Sequence, residues 1–102
     1  MSENSNKGLP VYSMYVGSRD GQAFTDVDRQ AVIDTVGNIF ECFTVINADG
    51  YFQGRSVATL IIKIATNDGA SVEELTHSMG NAMDQRVVGI ETAENYRSIY
   101  MG

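Results

Sequence analysis

One cysteine, one histidine and seven basic residues are the scarcest chemistry in this chain of 102 residues, and each scarcity closes off a class of function. Cys42 cannot form an internal disulfide and has no second thiol with which to share a metal, which fits a reducing compartment. Its expected role is that of a small buried hydrophobe. With His77 as the sole histidine, a histidine metal cluster and a histidine-bearing catalytic triad both lack parts. His77 reads as a solvated side chain on a polar helix face, and no metal site or resident cofactor is expected. The basic residues are scattered singly among thirteen acidic ones, and the formal charge of −6 repels a phosphate backbone. Nucleic-acid binding is therefore disfavoured, whereas a small cationic or zwitterionic ligand is electrostatically permitted.

Long apolar runs are missing too. None approaches the roughly 20 residues of a membrane helix, and the N-terminal stretch MSENSNKG has no hydrophobic region of the signal-peptide kind. These absences predict no membrane segment and a cytoplasmic location.

What remains is 43% apolar residues, enough for the core of one domain. That domain is expected over residues 9–102, behind a mobile polar tail at residues 1–8. Val11 to Val16 reads as a strand stopped by the turn chemistry of Gly17 to Gly21. Thr25 then caps a helix over about Asp26 to Phe40, with Val32, Ile33, Val36, Ile39 and Phe40 at helical spacing. Gly37 inside it implies an early end or close backbone packing. Asp26, Asp28 and Asp34 read as dipole partners and a solvated face.

Phe43 to Ile46 reads as a short second strand, with a reversal at Asn47-Ala48-Asp49-Gly50. The returning strand is expected to start at Tyr51, to be interrupted around Gly54-Arg55-Ser56 and to resume over Ala58 to Ile64. Ser71-Val72-Glu73-Glu74 reads as a capping box. The helix it opens has Val72, Leu75, Met79, Ala82 and Met83 on one face, and Glu73, Thr76, His77, Asn81 and Asp84 toward the other. Val87 to Thr92 forms the next strand, and the apolar residues Tyr96, Ile99 and Tyr100 extend that strand or dock as a turn of helix. The order β-α-β-β-α-β is that of an α+β, ferredoxin-like split βαβ sandwich, with both helices on one face of an antiparallel sheet. The other face is uncovered and partly apolar, as an oligomer interface is.

The Asp-Gly pairs at 20–21, 49–50 and 68–69 lack the twelve-residue ligand pattern of a calcium loop and read as turns. Glu41 and Glu91 each abut a strand. Either could face a subunit interface and recognise a cation or act as a base, or be a plain strand-end acid. The stretch Asp49-Gly50-Tyr51-Phe52-Gln53-Gly54-Arg55-Ser56 joins two aromatics to an amide, a guanidinium and a hydroxyl. That mixture suits a small-ligand site and equally an edge hairpin packed on a neighbouring subunit.

At this hairpin the chain resembles the small bacteriophage enzymes that degrade S-adenosylmethionine (SAM), formerly called hydrolases and better described as SAM lyases. The resemblance covers roughly residues 10–92 in pattern: a strand ending in small residues, a helix, a Gly-Tyr hairpin, a β-rich strand and a second helix. It implies a homotrimer with a small-molecule ligand between subunits near the hairpin, and it would set Gly17, Ser18, Tyr51, Gln53 and Arg55 around that ligand. The implied reaction is attack by the substrate's own carboxylate, giving homoserine lactone and methylthioadenosine, in which positioning outweighs acid-base machinery. The family carries a glutamate near the start of the third strand, where this chain has Arg55-Ser56-Val57-Ala58. Gln53 is the nearest polar substitute, and a glutamine orients an amine without neutralising it. The catalytic candidates are thus Gln53, Glu41 and Glu91. Three readings stay open: a SAM-cleaving lyase, a non-catalytic oligomer that sequesters a nucleotide-like ligand as a phage counter-defence protein, and a structural interaction module.

Overall fold

The computed structural model describes residues 9–92 and 96–101, so the tail expected over residues 1–8 lies outside the described residues. The elements run β1 (Val11–Gly17), α1 (Asp26–Gly37), β2 (Thr44–Phe52), β3 (Arg55–Ala65), α2 (Gly69–Ala82), β4 (Val87–Glu91) and β5 (Tyr96–Tyr100). The sheet order is β2-β3-β1-β4-β5, and every pairing is antiparallel. The first four strands are the ferredoxin-like split β-α-β-β-α-β arrangement. β5 adds an edge strand by pairing Tyr96–Tyr100 with Glu91–Val87.

Period-two alternation decides which side chains meet the helices. Met14 and Val16 of β1, Leu60, Ile62 and Ile64 of β3, and Val88 and Ile90 of β4 turn inward and are buried. They pack on Val32 and Val36 of α1 and on Val72, Leu75, Met79 and Met83 of α2. The opposite face carries the exposed apolar residues Val11, Ile46, Phe52, Val87 and Tyr100, and no described helix covers it. No helix among the described residues is long and apolar enough to cross a membrane.

Thr25 caps α1 as expected, its Oγ1 accepting from the Asp28 amide at 3.0 Å. The helix stops at Gly37, not Phe40. A Cβ at Gly37 would meet nothing within 4 Å, so this glycine ends the helix and does not serve close packing. The amides of Ile39 and Phe40 both return to the Val36 carbonyl, the tightened last turn typical of helix ends.

α2 begins earlier than the Ser71 box implies. Asp68 is its cap, taking the Ser71 amide at 3.0 Å and the Ser71 hydroxyl at 2.6 Å. Both bonds favour the carboxylate, the hydroxyl most, and hold its pKa below the ordinary 3.8. A carboxylate is the stronger acceptor, so the serine becomes its partner and not the cap. Thr76, expected on the polar face, is fully buried. Its hydroxyl bonds the Val72 carbonyl at 2.8 Å, which lets a threonine sit in a core without an unpaired group. Cys42, expected inside, is exposed in the α1–β2 connection. The early end of α1 leaves it beyond the core.

The hairpin is displaced from Asn47–Gly50 to Gln53-Gly54. Phe52 pairs with Arg55, and both intervening residues have positive φ, 52° and 79°, as a two-residue type I′ turn requires. Asn47, Asp49 and Gly50 lie within β2. A side chain on Gly50 would bring a Cβ to 2.6 Å from the Thr59 hydroxyl, so this glycine answers a cross-strand contact. β3 runs unbroken from Arg55 to Ala65, and the supposed interruption of that strand is the turn itself.

Candidate ligand site

The connection after β1 continues the sheet by other means. The Ser18 amide donates to the Ala58 carbonyl at 2.9 Å, the Ala58 amide to Gly21 at 3.1 Å, and the Gly21 amide back to Ser18 at 3.3 Å. Gly21 has φ 81°, a conformation that glycine adopts without strain. This short ladder delivers Phe24 and the first turn of α1 beside β2, whose inward side presents Asn47 and Asp49 at i, i+2 spacing.

Between them lies an open cleft of about 490 Å³, with Phe24, Asp26 and Arg29 on one wall and Asn47, Asp49 and Thr59 on the other. The volume falls within the ~300–1,000 Å³ of small-molecule sites. Arg29 Nη1 donates to Asn47 Oδ1 at 2.7 Å and ties the walls together. One guanidinium already engaged, facing two carboxylates, leaves the cleft net negative. An ammonium or sulfonium group suits that field, and Phe24 offers it an aromatic neighbour. Sequence reasoning missed this site. It read Asp26 as a helix-dipole partner and put Asn47 and Asp49 in a turn. Extending β2 through them would have set both on one face.

The residues singled out in the sequence divide into three places. Gly17 ends β1 opposite Thr59. Ser18 is only 4% exposed, and its hydroxyl has no hydrogen-bond partner among the described residues. Tyr51, Gln53 and Arg55 form the projecting hairpin end, where Tyr51 is 74% and Phe52 69% exposed. Pairing sets Tyr51 with Ser56 and Phe52 with Arg55, so Tyr51 and Arg55 fall on opposite faces of the ribbon. Four residues of β3 separate Arg55 from Thr59, about 13 Å of strand. Arg55 is therefore remote from the cleft within one protomer, whereas Tyr51 follows Asp49 at i+2 spacing on the same face.

Glu41 and Glu91 lie at the other end of the sheet. Glu91 closes β4 opposite Ser13, which pairs on its other side with Lys63. Eight residues, about 26 Å of strand, separate Lys63 from Arg55. Tyr15 Oη donates to Glu91 Oε1 at 2.7 Å, and Lys63 Nζ donates to Ser13 Oγ at 3.1 Å. The uncovered face is thus apolar toward its rims and hydrogen-bonded in its middle. Glu41 is exposed in the α1–β2 connection.

A scan of protein-family models finds no match, and a search of curated proteins finds none either. The fold does match a solved structure described as a phage SAM lyase in the apo state, with a TM-score of 0.73 at 17% identity. The match covers 98% of this chain and 95% of that one. The likeness read from the hairpin is therefore present in the fold.

Proposed function

We propose that this protein cleaves S-adenosylmethionine at a subunit interface, as a phage-type SAM lyase. The observation that carries the reading is the likeness in fold to a phage SAM lyase over almost the whole of both chains. An acid-lined cleft at the base of the hairpin supports it.

The chemistry asks little of the protein in proton transfer. A carboxylate oxygen of the substrate attacks its own γ-carbon, the γ-carbon–sulfur bond breaks, and the bonding pair leaves on sulfur. Methylthioadenosine and homoserine lactone result, with no proton gained or lost. The negative carboxylate and the positive sulfonium annihilate one another as the step proceeds. A dry, well-oriented site then helps more than a charge beside the sulfur, because charge there favours the ground state. Asp26 and Asp49 accordingly hold the ammonium, a spectator in the step. Tyr51 stacks on the base and Gln53 orients a polar group. Gly17 and Ser18 line the loop side, and Arg55, on the opposite face of the ribbon from Tyr51, meets the carboxylate or the ribose of a ligand held by a neighbouring subunit. Glu41 and Glu91 stand at the far end of their own sheet from the hairpin, so either reaches a hairpin only from a neighbouring subunit. A homo-oligomer, a trimer by resemblance, follows from this assignment, and the resemblance also implies action in the cytoplasm of a phage host.

The absence of an acid from Arg55-Ser56-Val57-Ala58 favours a second reading, in which the same cleft binds a nucleotide-like cation without cleaving it. Incubation of purified protein with SAM, followed by chromatography, separates the two. Methylthioadenosine appearing with homoserine lactone supports the lyase. A rise in melting temperature with SAM and no product leaves the silent binder, and neither response removes both.

A further inference from the structure

We infer that Gln85, three residues past the end of α2, is a positioning residue for the cleft wall formed by the β1–α1 connection. Its link to ligand binding rests on the SAM reading. Gln85 Nε2 donates to the Ser18 carbonyl at 3.0 Å and to the Met83 carbonyl at 3.2 Å. A primary amide has two N–H donors, and both are engaged, one on the connection and one on the helix end. The anchor beneath is firm. The Gln85 amide bonds the Gly80 carbonyl at 2.8 Å, and Asp84 turns the chain at φ 55°, a left-handed helix stop. A second side chain crosses the same gap in the other direction, since Arg19 Nη2 donates to the Ala82 carbonyl at 3.0 Å.

The rest of the connection is held by its ladder to Ala58, by the Arg19–Asp28 ion pair at 3.4 Å and by the Gln22 amide on the Asp20 carboxylate at 3.0 Å. The Ser18 hydroxyl is buried without a partner among the described residues, so Ser18 is fixed there through its main chain, and its carbonyl is where Gln85 and the Gly21 amide both attach. From there the ladder through Gly21 and Ala58 sets Phe24 and Asp26 at the cleft. Gln85 borders Gly17 at ordinary contact distance, and Val57 limits it more tightly. A Cβ there would stand 3.5 Å from Gln85 Oε1 and 3.3 Å from Val57 Cγ1. The end of α2, more than sixty positions away in sequence, therefore acts on the wall through the Ser18 carbonyl, beside the Arg19 link to Ala82.

The test compares Gln85→Met, which keeps length and removes the donors, with Gln85→Glu and with Ile64→Ala, a core truncation paired with Tyr12 at the far end of β1 from the connection. Amide hydrogen exchange reads the wall directly. In Gln85→Met the Ser18, Gly21 and Ala58 amides exchange about tenfold faster, the equivalent of one hydrogen bond, and the dissociation constant for SAM rises by a similar factor. Ile64→Ala lowers the melting temperature and leaves both readouts as in the wild type, because those amides exchange by local opening. Gln85→Glu exceeds Gln85→Met at neutral pH, where a carboxylate faces two carbonyls. Relative to wild type at each pH, that excess shrinks in acid as the carboxyl regains an O–H donor. Unchanged exchange in Gln85→Met, or equal acceleration by Ile64→Ala, overturns the assignment. So does faster exchange with undiminished SAM affinity. If the wild type does not bind SAM at all, the functional reading fails and the exchange data still decide whether Gln85 holds the wall.

Discussion

The two ends of the β2–β3 ribbon are made of one continuous pairing and do different work. Toward Thr44 and Lys63 the ribbon is one part of a five-stranded sheet, with Ile62 and Ile64 buried against both helices. Toward Phe52 and Arg55 it runs past its neighbours, every residue from Tyr51 to Ser56 is exposed, and the chain extends to 47 Å against 27 and 26 Å across. Burial of apolar surface stabilises the first end. The second is held by its ladder and turn alone, and it carries the aromatics and polar groups that a ligand or a neighbouring subunit would use. A protein that concentrates stability at one end of a ribbon leaves the other free to vary its chemistry.

Truncation should expose that division most sharply. Leu75→Ala, at a fully buried position, is expected to cost about 3 kcal/mol in urea unfolding. Joint replacement of Tyr51, Gln53 and Arg55 by alanine should change stability by no more than about 0.5 kcal/mol while abolishing the response to SAM. Comparable stability losses at the two ends would break the comparison. Next in size is Gly50→Ala, midway along the ribbon, expected to cost about 1–2 kcal/mol because its Cβ would strike the Thr59 hydroxyl. In a Thr59→Ala background most of that cost should vanish, and a double-mutant cycle measures the difference. The smallest effect is expected at the turn. Gln53 holds φ 52°, a conformation asparagine tolerates better, so Gln53→Asn should add about 0.5 kcal/mol. If Gln53 also orients the ligand, the same change should weaken SAM binding as it stabilises the fold.

The alternation of Leu60, Ile62 and Ile64 marks one face of β3, whereas β1 offers apolar groups on both faces, Tyr12, Met14 and Val16 or Val11 and Tyr15, so that burial of Met14 was not legible. Thr25 was legible as a cap, and both helices were found by their apolar spacing. Misreadings arose where one residue type suits two local structures. Asp-Gly is a good turn, and at 49–50 it is also a strand with a crowded neighbour. Ser71 is a good cap, and Asp68 is a better one three residues earlier. The candidate site was legible only in part, since Gly17, Ser18 and the hairpin were named while Asp26, Asn47 and Asp49 were given other tasks.

The sequence by itself determined the order β-α-β-β-α-β and therefore the split βαβ topology, because periodicity and caps act over a few residues and need no distant partner. Only the tertiary structure decided where the hairpin turns, which way Asn47 and Asp49 look, and that Gln85 would meet Ser18. Each depends on register between segments far apart in the chain. A one-residue slip in pairing exchanges the two faces of a strand, and nothing local forbids it.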